Sequence, residues 1–288
     1  MTEKIAILID SCSDAPQYLQ DKEYVKTMPM QLHWDGEVLR DRVDITPDEF
    51  YDRMKHSSTI PTTSSPQSGD IIEKFEELKK EGFTHVIAIC ISSGLSATFS
   101  QVSSLAVDEK NIDVKVINTK NIGIGSGLFA VYADDLIQQK LPFKTIVNLV
   151  NASVSSNKIF FYIPTLKYLA AGGRIGKVAN ILGSALNIKP IISCNEQGIY
   201  YSIAKARGEK KAIEKLLALV AKTVDGHKYV RLAVAEGDNK ELLKSTCEQL
   251  KKLYPHQQIY TGNISPALGV HTGPGLIGVA VHIAKEVI

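Results

Sequence analysis

Cysteine is scarce in this chain. Cys12, Cys90, Cys194 and Cys247 are the four among 288 residues, with no C-x-x-C pair and no zinc-ligand spacing. That excludes a disulfide scaffold and a cysteine-based metal finger, and leads us to expect a reduced, cytoplasmic compartment. A surplus of one charge is also missing. Lys and Arg number 33 against 31 Asp and Glu, a net +2, so no global field draws the chain to nucleic acid. No apolar run approaches the roughly 18 residues that span a bilayer. The opening "MTEKIAILIDS" runs straight into a strand pattern without the charged and apolar regions of a signal peptide. The phosphate loop G-x-x-x-x-G-K-[ST] is absent, so ATP binding by this chain is not expected.

The residues that are present are those of a soluble globular protein, 44% hydrophobic and 22% charged. "IAILI" (5–9) and "HVIAICI" (85–91) are continuous apolar runs, as expected of strands covered on both faces. Residues 46–57 read as a helix, with Thr46 as cap, Pro47 in the first turn and Glu49 completing a capping box. Residues 65–82 read as another, capped by Ser65, with Pro66 in its first turn, Ile71, Ile72, Phe75 and Leu78 on its apolar face, and Gly82 at its end. A helical stretch from about Leu95, a strand at 114–119 and a helix at 127–139 repeat the unit. Strands alternating with helices predict a doubly wound parallel sheet.

The second half begins with a strand at 158–164. Two short helices follow over 165–186, broken at Gly172-Gly173. Two strands then meet in a hairpin at Asn195–Gly198, and a helix, strand, helix and strand follow over 209–264. The chain closes in a pattern read as helical, "GLIGVAVHIA". This half is expected to be an α/β domain with a mixed sheet, with the boundary near residue 155: domains 1–155 and 156–288.

Ligands of parallel α/β sheets sit beyond the carboxyl ends of the strands, and the segments there are rich in hydroxyls. "PTTSSP" (61–66) supplies Thr62 and Thr63, which capping does not require. "SSGLSAT" (92–98) offers Ser93 and Ser96 at a helix start, where unpaired N–H groups favour an anion. "GVHTGPG" (269–275) puts His271 and Thr272 at what reads as another helix start, adding a hydrogen bond and some positive charge. A hydrolase or acyltransferase using Ser96 or Ser93 with His271 is an alternative, although the G-x-S-x-G elbow is incomplete and no triad acid is evident. In "DSCSD" (10–14), Asp10 is expected to orient loops through backbone hydrogen bonds, with Mg²⁺ on Asp10 and Asp14 as an alternative. A module for phosphorylated small molecules is a further alternative. "GIGSG" (123–127) lacks dinucleotide-loop spacing and reads as a helix packing closely through small residues. The residues describe a hydroxyl-rich anion pocket, with apolar stretches at 179–192 and 275–284 that could line a tunnel or fill a core.

"YLAAGGRIGKVANILGSALNIKPII" (168–192), together with "DSCSD", "PTTSSP", "SSGLSAT", "KARGEKKA" and "HTGPG" in that order, resembles the DegV family over essentially the whole chain. The resemblance implies a bacterial two-domain α/β protein that is not itself an enzyme. Such a protein binds one long-chain fatty acid, without a cofactor or metal, and presents its carboxylate to an ATP-binding fatty acid kinase subunit. The acyl phosphate formed there feeds phospholipid synthesis, and transient membrane contact fits that role. By motif, Thr63 and Ser96 carry the carboxylate, and Thr62, Ser93, His271 and Thr272 complete the pocket. Arg174 and Arg207 face the partner. Ser65 stands where the family commonly has glutamine, and Ala97 where it commonly has glycine.

Overall fold

The computed structural model describes residues 3–181 and 187–284. Its first half runs β1 (Ile5–Asp10), α1 (Gln17–Gln20), β2 (Val25–Met28), β3 (Gln31–Trp34), β4 (Glu37–Arg40), α2 (Pro47–His56), β5 (Thr62–Ser64), α3 (Ser68–Lys80), β6 (His85–Cys90), α4 (Thr98–Val107), β7 (Asp113–Asn118), α5 (Ile124–Gln138) and α6 (Phe143–Ala152). The second half runs β8 (Lys158–Tyr162), α7 (Lys167–Ala171), β9 (Ile188–Cys194), β10 (Tyr200–Arg207), α8 (Glu209–Val224), β11 (Val230–Gly237), α9 (Lys240–Leu253), β12 (Ile259–Asn263), α10 (Pro266–Thr272) and β13 (Leu276–Ile283). Among the described residues no helix is long and apolar enough to cross a membrane.

The α/β class holds, with a parallel sheet and a mixed one. The first is all parallel, in the order β2-β1-β6-β7. Its central strands β1 and β6 are continuous apolar runs because helices cover both faces: α3 and α4 on one side, α5 on the other. The second is ordered β10-β9-β8-β13-β11-β12 and is antiparallel except for β11 with β12. A small antiparallel sheet, β4-β3-β5, carries the threonines of "PTTSSP".

Helix α5 lies between the two large sheets and packs on β1 and β6 as well as β11 and β13. It is apolar on nearly every side, as a fully enclosed helix must be. Its glycines permit the close approach read from "GIGSG". A Cβ on Gly127 would lie 2.5 Å from the Ser13 carbonyl oxygen, and one on Gly125 would lie 2.5 Å from Asn121 Oδ1.

The capping box of α2 forms as expected, with Thr46 Oγ1 accepting from Glu49 N–H and Glu49 accepting in return. Gly82, at φ +80°, ends α3. Four expectations need correction. Helix α3 starts at Ser68 behind Gln67, so Ser65 does not cap it and Pro66 precedes it. Ile72 is 43% exposed, off the buried stripe of Ile71, Phe75 and Leu78. Helix α4 starts at Thr98, and the segment before it is loop. The fourth correction is the largest. "LIGVAVHI" is strand β13, in the interior of the mixed sheet, and not a closing helix. An eight-residue apolar run suits either element, and pairing on both edges decides for strand. Within the stretch 165–186, α7 and a 3₁₀ turn at 176–181 are seen, and residues 182–186 lie outside the described ones.

Candidate functional site

Short helix α10 brings the two halves of the chain together. Ser265 caps it and Pro266 opens it. Carboxylates from the first half hold its first turn. Asp14 accepts from Ser265 N–H at 3.0 Å and Asp41 from Ala267 N–H at 3.3 Å. Arg42 bridges Asp14 and the carbonyl of Asn263. Asp10 accepts from Ile91 N–H at 2.7 Å, the backbone role read from the sequence. Burial raises Asp10 and Asp14 to about 7 and Asp41 to about 6, with Arg42 opposing the rise for the latter two.

His271 and Thr272 therefore occupy the C-terminal end of α10, where they were expected at a helix start. The helix dipole favours cations at that end, so α10 offers no N-terminus to an anion beside His271. Nor does His271 add positive charge. Burial first, and the nearby Arg174 second, lower its pKa to about 4, which leaves the imidazole neutral at pH 7. Its Nε2 lies 2.8 Å from Thr63 Oγ1. Its Nδ1 is buried and unpartnered, facing Gly172, where an added Cβ would fall 2.0 Å away. A proton on Nδ1 would be an orphan donor, so we assign the tautomer with Nε2–H donating to Thr63. That leaves the Thr63 hydroxyl free to donate onward.

Thr63 and His271 line a cavity of about 230 Å³ that also receives Ser65, Ser96 and Arg174. Ser96 Oγ lies 2.8 Å from Thr98 Oγ1 and 3.5 Å from Ser65 Oγ. Among the described residues, the hydrogen-bond partner of His271 is Thr63 and not a serine. Arg174, expected to face the partner, is half-buried and lines the cavity. It donates to the carbonyls of Gly172 at 2.9 Å and Leu95 at 3.5 Å. No carboxylate among the described residues pairs with it. Its charge and the hydroxyls suit an anion.

Two of the expected residues, Thr62 and Ser93, lie away from the cavity, and Thr272 lines the apolar crevice beside it. Strand alternation turns Thr62 to the exposed face, opposite Thr63. Ser93 is exposed and accepts from Asn118 Nδ2 at 2.7 Å. Thr272 is buried and donates to Leu268 O within its own helix. Arg207 is exposed at the end of β10.

Tyr200 and the role of Gly172 were not anticipated, and Ser92, one of the hydroxyls of "SSGLSAT", serves the backbone. Tyr200 lines the cavity. Ser92 Oγ donates to Gly198 O at 2.8 Å and ties the β9–β10 hairpin tip to the loop carrying Ser96. For Ser65 the signal was present, since "PTTSSP" holds more hydroxyls than capping requires.

Beyond the polar cavity lies a narrow apolar crevice of about 20 Å³. Ile122, Tyr200 and Leu268 line both spaces and form the neck between them. Ile124 of α5 and Ile159, Phe161, Ala235, Leu276 and Gly278 of the mixed sheet enclose the crevice. A hydroxyl-lined cavity holding one arginine thus continues into an apolar slot.

The profile of a family described as "Uncharacterised protein, DegV family" matches residues 4–284. A DegV domain-containing protein of Clostridium acetobutylicum is 37% identical over 282 residues, covering 97% of this chain and 99% of its own. Among solved structures, the fatty acid-binding DegV of Bacillus subtilis matches with a TM-score of 0.89 at 27% identity, covering 98% of this chain and 99% of that one. A stearic acid-binding protein from Eubacterium ventriosum matches equally, with a TM-score of 0.89 at 27% identity over 97% of this chain and 98% of its own.

Proposed function

The chain belongs to the DegV family, and on that premise we propose that it binds one long-chain fatty acid and presents the carboxylate to a partner kinase subunit. The carboxylate is held by Thr63, Ser96 and Arg174, with His271 orienting Thr63 through Nε2–H. The acyl chain passes the neck at Tyr200 into the apolar crevice. Residues 1–155 supply the hydroxyls and residues 156–288 most of the apolar walls, so the ligand lies where two domains meet.

One observation carries this reading. Arg174 enters a hydroxyl-lined cavity with no carboxylate partner among the described residues, and that cavity shares its neck with an apolar slot. A buried anion needs hydrogen bonds, and an alkyl chain gains by leaving water. An amphiphile with a carboxylate head meets both requirements. The fatty acids named for the Bacillus subtilis and Eubacterium ventriosum proteins belong to that class.

The phosphoryl donor comes with the partner in this account, because the chain carries no phosphate loop. Arg207, exposed at the far end of the strand that begins with Tyr200, is assigned to the partner-facing surface.

Displacement of a fluorescent fatty acid by unlabelled palmitic acid, with methyl palmitate as control, tests the reading. The free acid should compete and the ester should compete at least about tenfold less well, since it lacks the charge that strengthens those hydrogen bonds. Equal competition by acid and ester would remove the carboxylate site.

A further inference from the structure

Gly278 lies where a strand gains nothing from glycine. It occupies the interior of β13, a strand paired on both edges, opposite Ala235 of β11. Glycine there weakens the strand and marks a place where something else approaches the backbone closely. Neither of the usual reasons for glycine applies. Its φ is not positive. An added Cβ would meet no atom closer than 3.6 Å, an ordinary van der Waals contact. Gly127 and Gly269 differ, since a Cβ on either would strike a neighbour within 2.5 Å.

The direction of that missing Cβ is informative. Its three nearest neighbours would be side-chain atoms of Phe161, Ile159 and Leu276. All three line the apolar crevice. Strand alternation agrees. Ile277, Val279 and Val281 point to the core beneath α8 and α9, and Leu276 and Ala280 point to the α5 side. Ala235, the cross-strand neighbour, is also small and also lines the crevice. Neither residue lines the polar cavity.

We propose that Gly278, with Ala235 beside it, determines the length and bulk of the acyl chain that the crevice accepts. This rests on the fatty acid reading above. The missing side chain leaves a recess in a slot walled mostly by Ile, Leu and Phe. Filling the recess shortens the usable slot without touching the carboxylate site.

The test compares stearic and lauric acid as competitors for a fluorescent fatty acid, using the full chain and its Gly278→Ala and Gly278→Val variants. One methylene of misfit in an apolar pocket changes discrimination by about tenfold or more. The valine variant should therefore lose stearic acid relative to lauric acid by about tenfold or more, with alanine intermediate. If the valine variant does not fold, the alanine variant decides, because its Cβ fits without displacing a neighbour. An unchanged stearic-to-lauric ratio in folded variants overturns the role of Gly278 while leaving fatty acid binding intact. Failure of the unmodified chain to bind either acid overturns the functional reading and this inference with it.

Discussion

Thr63 and His271, 208 positions apart in the chain, share a hydrogen bond of 2.8 Å across the mouth of the cavity. It joins an edge strand of the small sheet to the last turn of α10. In the proposed site the two residues act as one unit, with His271 fixing a hydroxyl that lines the cavity. Thr63→Ala and His271→Ala should each weaken fatty acid binding by about ten- to a hundredfold, the equivalent of roughly 1.5–3 kcal/mol for a hydrogen bond to a charged group. The double variant should lose little more than either single one, as coupled residues do. His271→Gln, which keeps a donor, should lose less. Additive losses in a displacement assay would show two independent contacts.

Acidity separates a neutral buried imidazole from a charged one. His271 titrates near 4 in the folded chain against an ordinary 6.5, because burial and then Arg174 disfavour its charged form. Between about 6.5 and about 4 the unfolded chain therefore binds a proton that the folded chain does not, and stability falls as the pH falls. Asp10, Asp14 and Asp41, raised by burial, act in the opposite sense over an overlapping window. The wild-type curve alone mixes these effects, and the difference between wild type and His271→Gln isolates His271. Denaturant unfolding at several pH values should show the wild-type advantage shrinking as the pH drops from about 6.5 to about 4. A difference independent of pH would mean that His271 is not held neutral.

Gly172 backs the imidazole. Its φ of −80° is ordinary, so its reason for being glycine is the 2.0 Å approach a Cβ would make to His271 Nδ1. Gly172→Ala should displace the ring, lower stability by about 1–3 kcal/mol as overpacking does, and weaken fatty acid binding along with it. Thermal unfolding and displacement on the same sample check both effects. Unchanged values would show that the ring has room to move.

The two arginines should part company. Arg174 lines the cavity, so Arg174→Ala should weaken fatty acid binding by about tenfold or more. Arg207 is exposed on β10, so Arg207→Ala should leave binding unchanged and lower phosphorylation of the bound acid by a partner kinase. Loss of binding in Arg207→Ala would move that residue into the ligand site.

Much of the fold was legible because its signals are local. Continuous apolar runs marked β1, β6 and β8, and the Thr46–Glu49 capping box marked α2. What failed depended on distant partners. "LIGVAVHI" carries no local sign that β8 and β11 flank it, and reading it as helix put His271 at the start of that helix when it lies in the last turn of α10. The strands of the small sheet, each three or four residues long, are too short for periodicity to reveal. The site was legible by chemistry but not by direction. The hydroxyl-rich loops are the ones that line the cavity, but only alternation along β5 separates Thr63 from Thr62. Only the folded loop between α7 and the following turn brings Arg174 inward.

The central claim is that this chain holds a fatty acid, and mass spectrometry of the purified protein tests it most directly. Spectra under native and denaturing conditions should differ by a few hundred daltons, one fatty acid per chain, and the organic extract should contain that acid. A purified protein with equal native and denatured masses, which also takes up no added palmitic or stearic acid, would contradict the account.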